Sequence, residues 1–269
     1  MDLDAYLRRI GHAGPTTPTR QTLAEIVRAH AQSIPFENLN PFLGLPVSLE
    51  PQDLGRKLLH DGRRGYCFEH NLLLMGALEA MGFNVVGLAA RVLWTQPPEN
   101  ITPRTHMLLK VELDEGPHVV DVGFGGMTPT GVLALEYGTV QSTPHEPFRL
   151  MQCDGDWWMQ AQVRGQWGTL YRFDLQRQYP VDYQATNYYL SNSPASHFTT
   201  GLSAALPFDG GRYALRNRDF TVHRLGQDSL TRTLASPDEL RDLLRDTFGL
   251  TLPDVPQLAP RLQSLFGAQ

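Results

Sequence analysis

The stretch Gly62-Arg63-Arg64-Gly65-Tyr66-Cys67-Phe68-Glu69-His70-Asn71 sets one of only two cysteines at the head of a long apolar run. Leu72, Leu73, Leu74, Met75, Ala77, Leu78, Ala80 and Met81 follow without a proline, and Gly82 closes the run. The pattern predicts a helix of about four turns, apolar on nearly all sides and therefore buried. A cysteine at that entry faces backbone N–H groups with no intrahelical partner and the positive end of the helix dipole, with Arg63 and Arg64 just upstream. Both effects favour thiolate over thiol. The competing reading is an inert core thiol, and a partner base elsewhere in the chain decides between the two.

Before this stretch the pattern is helical. Leu3, Tyr6, Leu7 and Ile10, then Leu23, Ile26 and Val27, recur at threes and fours, with Thr19 or Thr22 as N-cap of the second helix. Ile34 to Leu39 reads as an ordered loop, and Asp53 to His60 as a short helix with Leu54, Leu58 and Leu59 inward. After Gly82 the period changes from 3.6 to 2, which predicts strands at 85–93, 105–113 and 118–122. Three more strands, at 148–152, 157–163 and 168–173, lie between short polar turns, the spacing of a meandering antiparallel sheet or barrel. A helix over 181–190, a loop over 194–201, and short strands at 212–215, 220–224 and 230–234 follow. Ser236, Pro237 and Glu239 then open a last helix with Leu240, Leu243, Leu244 and Phe248 inward. The fold class is α+β.

At 269 residues the chain can bury a sizeable core unaided, and no segment approaches the run of about 18 apolar residues that a membrane span needs. Met1-Asp2-Leu3-Asp4 lacks the basic and apolar regions of a signal peptide, so a cytoplasmic location is expected. A net charge of −5 with scattered arginines argues against a nucleic-acid surface. Cys67 and Cys153 are far apart and form no Cys/His ligand spacing, so neither a disulfide framework nor a metal site is indicated.

A nucleophilic cysteine needs a base, and a third group to orient that base. Of the nine histidines, His106 sits inside a predicted strand, sharing a face with Leu108, Lys110 and Glu112. Asp121 falls on the next strand between Val120 and Val122, where a carboxylate is costly without a partner. A hairpin turning about residues 113 to 116 puts both on one face. A turn centred on residues 114 to 117 leaves them several residues apart. Each also has a plain reading, as a satisfied core histidine and a turn-capping carboxylate.

Read together, Arg63-x-Gly65-Tyr66-Cys67-Phe68-Glu69-His70-Asn71, the Thr105-His106 strand, Asp121-Val122-Gly123-Phe124-Gly125 and Pro35-Phe36-Glu37-Asn38-Leu39 resemble the arylamine N-acetyltransferases in order, spacing and flanking residues. The match spans about two thirds of the chain, and is weaker beyond, chiefly Ser196 to Leu202. Arg64 stands where many members have a second glycine. The resemblance implies a papain/transglutaminase-like catalytic core in three parts: a helical bundle over 1–84 with the nucleophile, a β-barrel over 85–193 with the histidine and aspartate, and an α/β lid over 194–269. It implies Cys67 as nucleophile, His106 as base and Asp121 as orienting acid. Phe36, Val92, Phe124 and Phe198 match positions that wall the acceptor pocket. Phe68, Leu93, Thr105, Gly125 and Gly126 complete the implied substrate-binding set, the glycine segment lying beside CoA.

The implied reaction is ping-pong transfer of acetyl from acetyl-CoA, a co-substrate rather than a bound cofactor, to small aromatic amines or hydrazines through acetyl-Cys67. Two rivals remain: an amide synthase of the same family acting on polyketide acyl chains, and a papain- or transglutaminase-like thiol hydrolase. Glu69 is expected to pair with the upstream arginines, and Cys153 to be bland.

Overall fold

The computed structural model describes residues 1–267. Helices α1 (Leu3–Ile10) and α2 (Arg20–Ser33) begin where side chains satisfy free N–H groups: Asp2 accepts from Ala5, and Thr19 from Thr22. Strand β1 (Phe36–Glu37), α3 (Leu39–Leu43) and α4 (Pro51–Gly55) follow. The single short helix expected over Asp53 to His60 divides in two. Beyond α4 the chain widens into a π-helical turn, Arg56–His60, from which Lys57 reaches Glu69 at 2.6 Å. Helix α5 (Cys67–Ala80) is the predicted apolar helix, its first five residues all buried.

Strands β2 (Asn84–Val92), β3 (Arg104–Leu113), β4 (Gly116–Val120) and β5 (Leu133–Ala134) precede β6 (Phe148–Cys153), β7 (Asp156–Val163) and β8 (Gln166–Phe173). They form a seven-stranded antiparallel sheet in the order β5-β4-β3-β2-β8-β7-β6. Past β5 the chain bridges back to β6 through Tyr137–Leu150 and Gln141–Phe148, nearly closing the sheet into a barrel. The period of two divides β3 as expected. Met107, Leu109 and Val111 join the core around α5, and Leu108 joins the core enclosed by the barrel.

Helices α6 (Asp182–Asn192) and α7 (His197–Thr200) lead to β9 (Ser203–Phe208), β10 (Gly211–Arg216), β11 (Asp219–Arg224) and β12 (Leu230–Thr233), then α8 (Pro237–Asp246) and α9 (Leu258–Ser264). Ser236 accepts from the Glu239 N–H at the start of α8, as its capping pattern requires. The second sheet runs β1-β9-β10-β11-β12, and Leu240, Leu243 and Leu244 of α8 share a core with Leu215 and Phe220 of its strands. Three expectations are corrected here. The segment before Leu39 is an edge strand paired through Phe36 to Ala205, the stretch after Pro194 holds a helical turn capped by Ser196, and β9 was not foreseen. The two-residue strand and the one-turn helix are too short to show a period and form because a neighbour is in place, whereas β9 carries no polar–apolar alternation and holds a proline, Pro207.

Candidate active site

Cys67 is the first residue of α5, and its position is fixed by polar groups buried beneath it. Glu69 accepts from the Tyr66 N–H at 3.1 Å and from Lys57 Nζ at 2.6 Å, which anchors the turn entering the helix. The partner of Glu69 is therefore Lys57 and not the upstream arginines. One helical turn after Cys67, Asn71 is fully buried. Its amide donates to the carbonyls of Cys67 and Met107 and to Asp121 Oδ1, and its oxygen accepts from the Val122 N–H. One side chain thus binds the cysteine helix, β3 and the Asp121 turn together. Gly123 lies flat against the nucleophile: a Cβ there would sit 2.7 Å from Cys67 Cα and 2.9 Å from its carbonyl oxygen.

The β3–β4 hairpin turns about residues 113 to 116, pairing Leu113 with Gly116 and Leu109 with Val120. Continued one step, this register sets Asp121 opposite Leu108, two residues from His106 and on the same face. Asp121 itself lies just beyond β4, because its carboxylate accepts from the Gly123 N–H at 2.9 Å and turns the chain out of the ladder. His106 Nε2 bonds Asp121 Oδ2 at 2.7 Å, both side chains being buried. That bond assigns Nε2 to the carboxylate and leaves Nδ1 as the other ring nitrogen. Tyr171 (centroid 5.0 Å) and Phe124 (5.1 Å, edge-on) both pack on the imidazole ring and on each other at 5.2 Å, so the three rings form one cluster. Cys67 Sγ lies 3.7 Å from the carbonyl oxygen of Thr105, the residue preceding His106.

Burial raises the Asp121 carboxyl, but attraction to His106, the bond to it and the N–H donors of Gly123 and Asn71 outweigh this and hold it below its usual range. Burial pushes the Cys67 thiol up, and the negative charge of Asp121 adds to this, against the N–H groups of Phe68 and Met107. The expected help from the arginines is absent. Arg63 bonds Asn40, and Arg64 bonds the carbonyls of Gly62, Arg63 and Gly249. The thiol therefore becomes an anion only by giving its proton to a neighbour.

Of the other residues singled out in the sequence, Phe36 and Phe198 meet at 6.0 Å, and the Phe36 ring lies against Gly125, where a Cβ would be 3.4 Å away. Val92 pairs with Tyr171 across β2 and β8. Phe36, Val92, Thr105, Phe124, Gly126 and Phe198 are all partly exposed. Phe68 and Leu93 are not part of that wall. Phe68 is buried between Tyr66 and Tyr183, and Leu93 is buried where its N–H bonds Leu170. Sequence reasoning missed Asn71 and Tyr171. Asn71 had a signal, since position i+4 shares a helix face with Cys67. Tyr171 had none: its hydroxyl comes near Asp121 only through the barrel, without closing a hydrogen bond.

A groove of about 1040 Å³ runs between the two sheets, lined among others by Trp94, Gly126, Met127, Arg164, Arg212 and His223. Among the described residues no group of three or more His, Cys, Asp or Glu side chains could hold a metal ion, and no helix is long and apolar enough to cross a membrane.

A family model described as N-acetyltransferase matches residues 19–256. The arylamine N-acetyltransferase of Mycobacterium tuberculosis is 44% identical over all of this chain and 97% of that protein. Its counterpart in Escherichia coli is 39% identical over 94% of this chain and 90% of its own length. The structure of the Mycobacterium marinum arylamine N-acetyltransferase in complex with CoA superposes with a TM-score of 0.94 at 41% identity, covering 98% of this chain and 99% of that one. The α+β fold with a papain-like core, expected from the sequence, is the fold of these neighbours. Likeness that runs from end to end of both chains, in sequence and in backbone alike, makes this chain a member of the arylamine N-acetyltransferase family.

Proposed function

We propose that this protein moves acetyl from acetyl-CoA to the nitrogen of arylamines or arylhydrazines by a ping-pong mechanism through acetyl-Cys67, with His106 as base and Asp121 as its orienting acid. The observation that carries the reading is the buried His106–Asp121 bond at 2.7 Å, tied through Asn71 to the helix that begins with Cys67. The thiol proton passes to His106 Nδ1 as Sγ adds to the thioester carbonyl. The resulting imidazolium is stabilised by Asp121, which is ionised. The N–H groups of Cys67 and Phe68 precede the first intrahelical bond of α5, from the His70 N–H to the Tyr66 carbonyl, and are placed to hold the oxyanion. CoA leaves with the proton from His106. An aromatic amine, unprotonated near neutrality, then adds to the acetyl-Cys67 carbonyl. His106 takes the amine proton and Cys67 Sγ departs.

The half-exposed rings of Phe36, Phe124 and Phe198 suit a flat aromatic acceptor. The groove past Gly126 offers the exposed guanidinium of Arg164 to the phosphates of the donor.

The test is intact-mass analysis after incubation with acetyl-CoA. One added acetyl group is expected, removed on addition of an arylamine and absent in Cys67→Ala. Asp121→Asn is expected to lower kcat/KM by about a thousandfold or more. No adduct with acetyl-CoA, together with peptide cleavage, would favour a thiol hydrolase, and transfer only from long acyl chains would favour an amide synthase.

A further inference from the structure

Helix α5 carries a second imidazole, His70, three residues after Cys67, and the mechanism above makes no use of it. His70 is fully buried, with Nε2 at 3.0 Å from the Gly65 carbonyl oxygen and 3.2 Å from that of Pro35. Carbonyls only accept, so Nε2 carries the hydrogen and Nδ1 is the acceptor. His30 Nε2 lies 3.0 Å from His70 Nδ1 and must donate to it. His30 Nδ1, 2.9 Å from Tyr6 Oη, must then accept. One set of tautomers satisfies every link, and burial keeps both rings neutral by lowering their proton affinity. The chain runs from α1 through α2 to α5 and ends on two backbone carbonyls.

Those carbonyls belong to the residues that precede Phe36 and Tyr66. Gly65 also accepts from the Glu37 N–H at 2.8 Å, so His70 holds both strands of the short bridge that carries Phe36. Its ring lies nearly parallel to that of Phe36, with centroids 6.5 Å apart and planes inclined at 18°. The front of Phe36 faces Phe198 and Gly125. Cys67, by contrast, is held by Glu69, Asn71 and Gly123. The two sets of supports share one helix and divide its work.

We propose that His70, buttressed by His30 and Tyr6, is a positioning residue for the acceptor: it fixes the Phe36 wall against which the aromatic amine packs, and leaves the thiol chemistry untouched. This rests on the acetyltransferase reading. In ping-pong kinetics kcat/KM for each substrate reports its own half-reaction, so the two roles separate. His70→Leu orphans the two carbonyls and the His30 N–H. It is expected to lower kcat/KM for an arylamine such as aniline by about tenfold or more, chiefly through KM, with acetyl-Cys67 formation from acetyl-CoA within about threefold of the unsubstituted protein. His70→Gln can donate to the carbonyls and accept from His30, and is expected to recover most of the loss. Tyr6→Phe removes only the outermost bond and keeps the ring, and should lose about twofold to fivefold on the acceptor side alone.

Thermal melting establishes which variants fold. If His70→Leu does not, Tyr6→Phe and His70→Gln decide. Unchanged acceptor kcat/KM in every folded variant, or equal loss in both half-reactions, would overturn the proposal while leaving the acetyltransferase reading intact. Absence of acetyl transfer in the unsubstituted protein would overturn that reading instead, and this inference with it.

Discussion

Gly123 is the residue at which the site tolerates least. A Cβ there would meet the Asn71 amide at 2.8 Å and, on either side of that distance, Cys67 Cα and the Cys67 carbonyl oxygen, backbone that cannot swing aside as a side-chain end can. Gly123→Ala is therefore expected to cost about 2 kcal/mol or more of stability, measured by urea denaturation, and to displace Cys67 enough to suppress its acetylation. Arg64 shows the opposite case. Where family members often have glycine, this chain buries an arginine whose guanidinium bonds the turn carbonyls of Gly62 and Arg63 and reaches Gly249. The larger side chain ties the cysteine turn to the C-terminal segment and does not face the thiol.

An element-scale feature of α5 is that three polar residues, Glu69, His70 and Asn71, are all buried near its start. Each is satisfied by a different element: Glu69 by the π-helical turn, His70 by α2 and the β1 strand entry, Asn71 by β3 and the Asp121 turn. His70 and His30 carry a consequence for pH. The unfolded imidazole binds a proton near its ordinary pKa of about 6.5, whereas burial lowers His70 in the fold to about 4 and holds His30 well below its ordinary value. Between those values the unfolded chain holds more protons, so stability is full above about pH 7 and falls as the pH drops toward 4. His70 alone is expected to remove about 2 kcal/mol between pH 7.5 and pH 5, and His30 acts in the same direction. Urea denaturation across that range checks this, and the slope should flatten in His70→Gln.

At the scale of the whole molecule, the two sheets are pinned together at the groove. Arg212 of β10, almost fully buried, bonds Glu146 from the segment before β6 and the Gly126 carbonyl at 2.8 Å. Next to it, His145 donates from Nε2 to the carbonyls of Phe208 and Gly211, while its Nδ1 meets the Thr130 hydroxyl at 2.7 Å. Arg212→Met strands the Glu146 carboxylate and the Gly126 carbonyl, and is expected to cost about 3 kcal/mol in urea denaturation. Adding Glu146→Leu should restore at least half of that loss, because the penalty comes from a charge without its partner and not from a missing attraction.

Much was legible along the chain. The hairpin and the capped α8 helix repeat a period over several pairs or turns, and α5 is an unbroken apolar run closed by glycine; each pattern reports burial whatever lies across from it. The four family motifs were legible too, because they are strings of adjacent residues. What only the tertiary structure decided depends on distance through space: which of two registers brings Asp121 to His106, which amide braces the thiol, which phenol packs against the imidazole, and where the charges of Lys57 and the arginines are spent. Sequence by itself determined the elements and the chemistry-bearing residue types, since local backbone preference and hydrophobic patterning act between near neighbours. Partner choice was left to the fold, since a hydrogen bond or a burial cost is set by whatever the packed chain brings within a few ångströms.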